Sequence, residues 1–342
     1  MCRKFLVFLF LSLPVFVVAQ KVHIGEQTFR FNDSGRQRQV VTEVWYPTEQ
    51  NYQKSDSAYE YPFLHIPTIR NAKVIQGVYP IVFISHGTGG GRQTLEWLAD
   101  ILVEQGFMVA AVDHWGNTYD NKIAIDFVTP WERPLDISFA LTQLLNDQTF
   151  GPLVDRNRIG AAGFSLGGYT VLALAGAKIS LDALVKFSET PIGKKELTIP
   201  EYPGILKELN KEKVRESFLK SPELKDLRFK AFFAICPALG QGFSDSIQVR
   251  NIKSPVYIVG AQSDSIAPIK TNALHYQALI SASKILVIPG LAGHYVFLNE
   301  GKQGTKKQVP FLFVDDPSVN RSAIHQQVGN LAADFFSKNL SH

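Results

Sequence analysis

The chain has 342 residues, 45% hydrophobic and 19% charged, with a formal net charge of +4. That apolar content supports a large core and excludes a disordered or low-complexity chain, and so small a charge gives no electrostatic footprint for nucleic acid. Two cysteines in the whole sequence exclude a disulfide scaffold.

In chain order, the first predicted element is a targeting segment. Arg3 and Lys4 precede an apolar run from Phe5 to Val18, and Val17-Val18-Ala19 reads as a small-residue cleavage site. Residues 1–19 are therefore expected to be a signal peptide, removed before Gln20. A membrane anchor is the competing reading, but the run falls short of the roughly 18 residues a spanning helix needs and contains Pro14. Cleavage removes Cys2, Arg3 and Lys4 and no acid, which lowers the formal charge from +4 to +2 and leaves Cys236 without an intramolecular partner. An exported chain without disulfides points to a bacterial periplasm or medium. Asn32-Asp33-Ser34 and Asn320-Arg321-Ser322 match glycosylation acceptors, which carry meaning only in a eukaryotic secretory host. No other segment reaches spanning length, so no stable membrane insertion is expected.

Residues 20–342 read as a single domain. Gln39 to Tyr46 alternates as a half-buried strand does and is expected at an antiparallel edge. A polar connection from Thr48 to Gly77 follows. Tyr79 to Ser85 is a continuous apolar run, the pattern of a parallel strand buried on both faces. Helices are predicted at Thr94 to Gln105 and Pro134 to Asn146, with a strand at Phe107 to Val112 between them. Arg158 to Ala162 reads as a strand and Tyr169 to Ala177 as a helix. Later strands are predicted at Phe229 to Cys236, Pro255 to Gly260 and Ile285 to Ile288, with helices at Pro268 to Ile280 and Ser322 to Ser337. Strands alternating with helices call for a mostly parallel central sheet covered on both faces.

The segment from Lys178 to Arg228 is too long for an ordinary connection and is punctuated by Pro191, Pro200, Pro203 and Pro222. It is expected to form an inserted cap, with one helix at Pro203 to Leu219. A solvated excursion without a catalytic role is the competing reading. Phe187, Ile199, Tyr202, Leu206, Val214 and Phe218 are expected to hold this insertion to the body, with lining of an acyl pocket the competing reading. Trp45, Trp97, Trp115 and Trp131 point neither way.

Gly163-Phe164-Ser165-Leu166-Gly167-Gly168 places a serine where a strand meets a helix. That is the setting of a nucleophile elbow, in which glycines are needed because a Cβ would strike the adjoining strand or the helix start. A turn closed by a helix-capping serine has the same sequence. A serine hydroxyl is a weak nucleophile, so a base and an acid that orients the base must accompany it, in the chain order serine, acid, histidine. Asp264 stands just after the Pro255 to Gly260 strand, where ligand sites of open α/β sheets gather. A helix cap is its bland reading, and Asp245, Asp315 and Asp316 compete with it for the acid. Of the histidines that follow, His275 and His325 fall within helix patterns and His342 ends the chain. His294 follows a strand end and the glycine-containing loop Pro289-Gly290-Leu291-Ala292-Gly293 and is the preferred base. His86-Gly87-Thr88-Gly89-Gly90-Gly91 follows the strand ending at Ser85, and glycines there let backbone N–H groups approach an oxyanion. The donors expected are the Thr88 and Leu166 amides, with His86, Gly87 and Gly89 supporting the loop. A dinucleotide loop fits badly, because Arg92 stands where the third glycine of G-x-G-x-x-G belongs.

Together, Ile84-Ser85-His86-Gly87-Thr88-Gly89-Gly90, Ala111-Val112-Asp113-His114, the elbow and Gly290-Leu291-Ala292-Gly293-His294 resemble the α/β-hydrolase superfamily. Within it, the likeness is to secreted proteins related to dienelactone hydrolases and platelet-activating-factor acetylhydrolases, over roughly residues 39–340. The resemblance implies hydrolysis of a small-molecule ester through an acyl-serine, lipid and short-chain acyl esters included, with no metal and no organic cofactor. Two departures limit it. Dienelactone hydrolases use a cysteine where this chain has Ser165, which puts dienelactone in doubt as substrate. The acetylhydrolases carry their acid after the strand that here ends at Cys236-Pro237, where no carboxylate stands, so Asp264 takes the commoner superfamily position. A serine peptidase of the same fold and a non-catalytic binding protein on the same scaffold are the alternatives.

Overall fold

The structure, a computed structural model, describes residues 23–53, 62–199 and 202–341; residues 1–19 and His342 lie outside them. Nine strands form one sheet: β1 (His23–Asp33), β2 (Arg38–Thr48), β3 (Thr68–Arg70), β4 (Tyr79–Ser85), β5 (Met108–Val112), β6 (Val154–Phe164), β7 (Phe229–Ile235), β8 (Val256–Ala261) and β9 (Ser283–Ile288). Their spatial order is β3-β1-β2-β5-β4-β6-β7-β8-β9. From β5 to β9 every pairing is parallel, whereas β2 runs antiparallel to both β5 and β1.

Among the described residues ten α-helices accompany the sheet: α1 (Glu96–Glu104), α2 (Glu132–Asn146), α3 (Leu166–Ala175), α4 (Leu181–Ser188), α5 (Pro191–Glu196), α6 (Glu212–Lys220), α7 (Ala273–Leu279), α8 (Gln303–Gln308), α9 (Pro310–Phe313) and α10 (Arg321–Asn339). The pleat of the central strands divides the core. Ile81 and Phe83 of β4 pack with α2, α3 and α7 on one face, and Val82 and Ile84 pack with α1 and α10 on the other. This two-sided burial is why the central strands read as unbroken apolar runs. Among the described residues no helix is long and apolar enough to cross a membrane.

Three sequence expectations are corrected. The alternating strand at 39–46 is antiparallel, but it is not at the edge, because β1 and β3 lie outside it. The helix expected at 203–219 is broken: Ile205–Asn210 is a 3₁₀ turn, Lys211 is extended, and α6 starts at Glu212. The helix expected at 268–280 is shorter, because Asn272 is not helical and spends its side chain on the Pro268 carbonyl and the Gly240 N–H.

Register positions the site. Ser85 of β4 pairs with Val112 of β5 and with Gly163 of β6, and Phe164 pairs with Ile235 of β7. The carboxyl ends of the strands therefore finish along one line, and the loops that follow them share one edge, the place where open parallel sheets bind ligands.

Candidate active site

Ser165 sits between β6 and α3 with φ 57° and ψ −118°, a conformation that costs a non-glycine residue of order 1–3 kcal/mol and persists where the surroundings enforce it. The glycines explain how the chain is held there. A Cβ on Gly163 would sit on the Gly167 carbonyl, and one on Gly167 would sit on the carbonyl of Ser85 in the adjoining strand. The Ser165 hydroxyl makes no capping bond to α3. Instead Oγ lies 2.9 Å from His294 Nε2, and His294 Nδ1 lies 2.7 Å from Asp264 Oδ2. The carboxylate fixes the tautomer: Nδ1–H donates to Asp264, and Nε2 is left to accept from the serine.

Asp264 serves as cap and as partner at once. Its Oδ1 accepts the N–H groups of Ile266 at 2.9 Å and Ala267 at 2.7 Å, which leaves Oδ2 for the histidine. The competing acids are committed elsewhere: Asp245 caps the turn at Ser246–Gln248, Asp315 pairs with Arg321, and Asp316 binds the Ser318 hydroxyl and N–H. His275 bonds the Phe243 carbonyl, and His325 stacks on Trp97 and bonds the Val296 carbonyl. Burial pushes His325 down to about 4.

The glycine loop lies against the serine, where a Cβ on Gly87 would approach the Ser165 Cβ to 3.2 Å. Among the described residues, no acceptor meets the N–H of Thr88 or of Leu166, and both residues line the cavity that holds Ser165 and His294. Their peptides are anchored from the opposite side. The Gly87 carbonyl accepts from His86 Nδ1 at 2.6 Å and from the Gly90 N–H at 3.3 Å. The Ser165 carbonyl accepts from the N–H groups of Gly168, Tyr169 and Ala238. His86 accepts the His114 N–H at Nε2, so its Nδ1 carries the proton. Burial first, then Arg133 and His114, hold its pKa well below the usual range. His86 is thus a neutral brace that orients the Thr88 peptide. Gly89 is held by Asn117 Oδ1, which accepts its N–H at 3.2 Å.

The cavity measures about 450 Å³. One wall is the segment from 178 to 228, contributing Leu184, Leu197, Ile199, Leu206 and Leu209; the other carries Phe63, Tyr295, Leu298 and Phe311. Of the residues expected to hold that segment down, Ile199 and Leu206 face the cavity, while Val214 and Phe218 pack beneath with Val128 and Trp131. None of the four tryptophans lines the cavity. Its described lining contains no lysine or arginine, and Glu196 is the carboxylate there, with Oε2 taking Gln241 Nε2 at 2.7 Å and Thr271 Oγ1 at 2.8 Å. Cys236 Sγ, Asp264 and His294 offer donor atoms within 4.8 Å of one another. In this structure Asp264 Oδ2 and His294 Nδ1 are spent on each other, in a hydrogen bond of 2.7 Å.

Sequence reasoning missed Arg133, Asn117 and Thr170 behind the oxyanion loop. Their one signal was an arginine beside Pro134 at the start of a predicted amphipathic helix.

No known family model matches the chain. It is similar to Lipase 1 of Moraxella sp. (strain TA144), 26% identical over 124 residues, which are 36% of this chain and 34% of the lipase. It is also similar to the cutinases est1 and est2 of Thermobifida alba, each 27% identical over 126 residues, 36% of this chain and 40% and 39% of those proteins. The match thus spans well under half of the length of these curated relatives. Among solved structures, the ferulic acid esterase from Streptomyces cinnamoneus aligns over 94% of this chain and 91% of its own, with a TM-score of 0.60 at 19% identity. At that identity the likeness shows the architecture: the chain has the α/β-hydrolase fold.

Proposed function

We propose that the chain is a serine carboxylic-ester hydrolase. One observation carries the reading: an unbroken hydrogen-bond chain runs from Asp264 through His294 to Ser165, whose strained backbone presents its hydroxyl to an apolar cavity. The names of the lipase, the cutinases and the esterase support the same chemistry.

In this mechanism Ser165 Oγ attacks the ester carbonyl carbon while His294 Nε2 takes its proton. The carbonyl oxygen becomes an oxyanion facing the Thr88 and Leu166 N–H groups, at the amino end of α3 where the helix dipole favours negative charge. Collapse breaks the bond to the alcohol, which leaves with the proton held by His294. Water then attacks the acyl-serine in the same way, and the acid departs. Asp264 holds the imidazole in the required tautomer and stabilises the imidazolium.

A cavity whose described walls are largely apolar and carry no lysine or arginine favours neutral esters with hydrophobic arms, lipid or short-chain acyl esters among them, over anionic ones. The segment 178–228 acts as a cap that forms one side of the substrate space. The nearer kinship, with dienelactone hydrolases and platelet-activating-factor acetylhydrolases, rests on the four segments quoted above. Export directed by residues 1–19 belongs to the same proposal, and amino-terminal sequencing of the protein from its native host tests it: a chain retaining Met1 argues against cleavage.

The catalytic reading is tested on a panel of neutral nitrophenyl esters of graded acyl length, their carboxylate-bearing analogues, and aminoacyl amides. Turnover confined to neutral esters is expected. Preference for amides would favour a peptidase, and no turnover of any of them by folded protein would favour a binding role.

A further inference from the structure

The two amides that face the oxyanion belong to different segments, the loop after β4 and the first turn of α3, so their spacing must be set by something that touches both. Arg133, 2% exposed at the start of α2, does so. Its Nη2 donates to the His86 carbonyl, its Nη1 to Asn117 Oδ1 at 3.0 Å, and its Nε to Thr170 Oγ1 at 3.2 Å. Each acceptor belongs to the frame of the oxyanion site. The His86 carbonyl immediately precedes the Gly87-Thr88 peptide. Asn117 Oδ1 also takes the Gly89 N–H, so the loop is gripped on both sides of Thr88. Thr170 Oγ1 donates in turn to the Leu166 carbonyl at 2.9 Å.

Among the described residues no carboxylate lies within ion-pair distance of this guanidinium; Asp136 acts on it only from farther away. A buried cation with neutral partners is costly to fold around. A neutral amide side chain would supply hydrogen bonds at lower cost, so retention of the charge calls for a reason beyond packing. The planar fork matters too, since a lysine offers a single ammonium and cannot address three acceptors in fixed directions.

We propose that Arg133 is a positioning residue for ester hydrolysis: it sets the spacing of the Thr88 and Leu166 amides, and its uncompensated charge strengthens the field they present to the oxyanion. This rests on the reading of Ser165 as the nucleophile.

The test uses Arg133→Lys, Arg133→Gln and Thr170→Val in the full-length protein, with steady-state kinetics on a neutral nitrophenyl ester and with binding of a trifluoromethyl ketone. That ketone adds to a serine hydroxyl to give a tetrahedral oxyanion and so reports the same amides. Both Arg133 variants are expected to lower kcat about 10²-fold with KM within about threefold, the cost of a misplaced oxyanion donor. Ketone affinity should fall by the same factor as kcat/KM. Thr170→Val removes one of the three contacts, should give a smaller loss in the same direction, and decides the matter if the Arg133 variants fail to fold. An Arg133→Gln protein with wild-type kcat overturns the proposal, as does a fall in kcat with unchanged ketone affinity. Wild-type protein that neither turns over esters nor binds the ketone would instead defeat the reading of Ser165, whereas active wild type with equally active variants removes Arg133 alone.

Discussion

Among the described residues stand two Ser–His–Asp chains of nearly the same geometry. In the first, Ser165 Oγ, His294 and Asp264 are linked at 2.9 and 2.7 Å. In the second, Ser85 Oγ lies 2.8 Å from His114 Nε2, and His114 Nδ1 lies 3.0 Å from Asp136 Oδ2. Both stand near the carboxyl ends of parallel strands. Ser165 is 8% exposed and borders the cavity, whereas Ser85 is 0% exposed, ends a regular strand and does not line that cavity. The acids differ as well. Asp264 is held by backbone N–H groups, while Asp136 also faces Arg36 at 2.9 Å and Arg38 at 3.5 Å. Burial first, then Arg133, Arg38 and Arg36, drives His114 well below the usual histidine range, so it has little basicity to offer. On the proposed reading, a relay of hydrogen bonds is therefore insufficient for catalysis. On that reading, access, strain that exposes the hydroxyl and amides free to meet an oxyanion separate Ser165 from Ser85.

That contrast can be broken by paired substitutions. Ser165→Ala should cost about 10⁶-fold in kcat, as loss of a triad serine does, while Ser85→Ala should leave kcat within a few-fold. Removing the Ser85 hydroxyl should instead lower stability by about 1 kcal/mol, the worth of one buried hydrogen bond; ester turnover and urea unfolding of the two variants check both statements. Asp264→Asn should cost about 10⁴-fold in kcat by leaving His294 in the wrong tautomer, with little change in Tm. Asp136→Asn should show the reverse: nearly normal turnover, but a loss of about 3 kcal/mol because Arg36 and Arg38 lose a buried counter-charge. Equal kinetic losses in the two asparagine variants would erase the distinction drawn between the chains.

A smaller effect is expected away from both, under β1 and β2. Burial, with Asp100 behind it, raises Glu96 to about 9, and neither of its carboxylate oxygens has a hydrogen-bond partner among the described residues. Its folded pKa lies above its ordinary 4.5. Its contribution to stability is therefore complete below that ordinary value and is lost as pH rises toward 9. Glu96→Gln should nearly match wild type in Tm at pH 5 and clearly exceed it at pH 8, with kcat unchanged. A Tm gain independent of pH would point to packing rather than charge.

The parts legible in sequence were those whose physics is local. Strands β4, β5, β7, β8 and the carboxyl half of β6 announce themselves because burial on both faces demands unbroken apolar runs, and Ser165, Asp264 and His294 stand at strand ends in a fixed order. Strand β1 was not legible, since Glu26 and Thr28 face a buried ion cluster with Arg70 and Glu43 and break the apolar pattern. Arg133 was hidden for a related reason: its acceptors lie 16, 37 and 47 positions away, and only the fold brings them to one guanidinium. The Ser85–His114–Asp136 chain was likewise invisible, because adjacency of β4 and β5 in the sheet is what joins Ser85 to His114.

The central claim, that Ser165 is the nucleophile and Ser85 is not, is tested most directly by labelling with a fluorophosphonate probe, which traps an activated serine covalently. Wild-type and Ser85→Ala proteins should each take up one equivalent, located by mass spectrometry on the peptide containing Ser165, and Ser165→Ala should take up none. Full labelling of folded Ser165→Ala, or a label found on Ser85 in the wild type, would contradict the account.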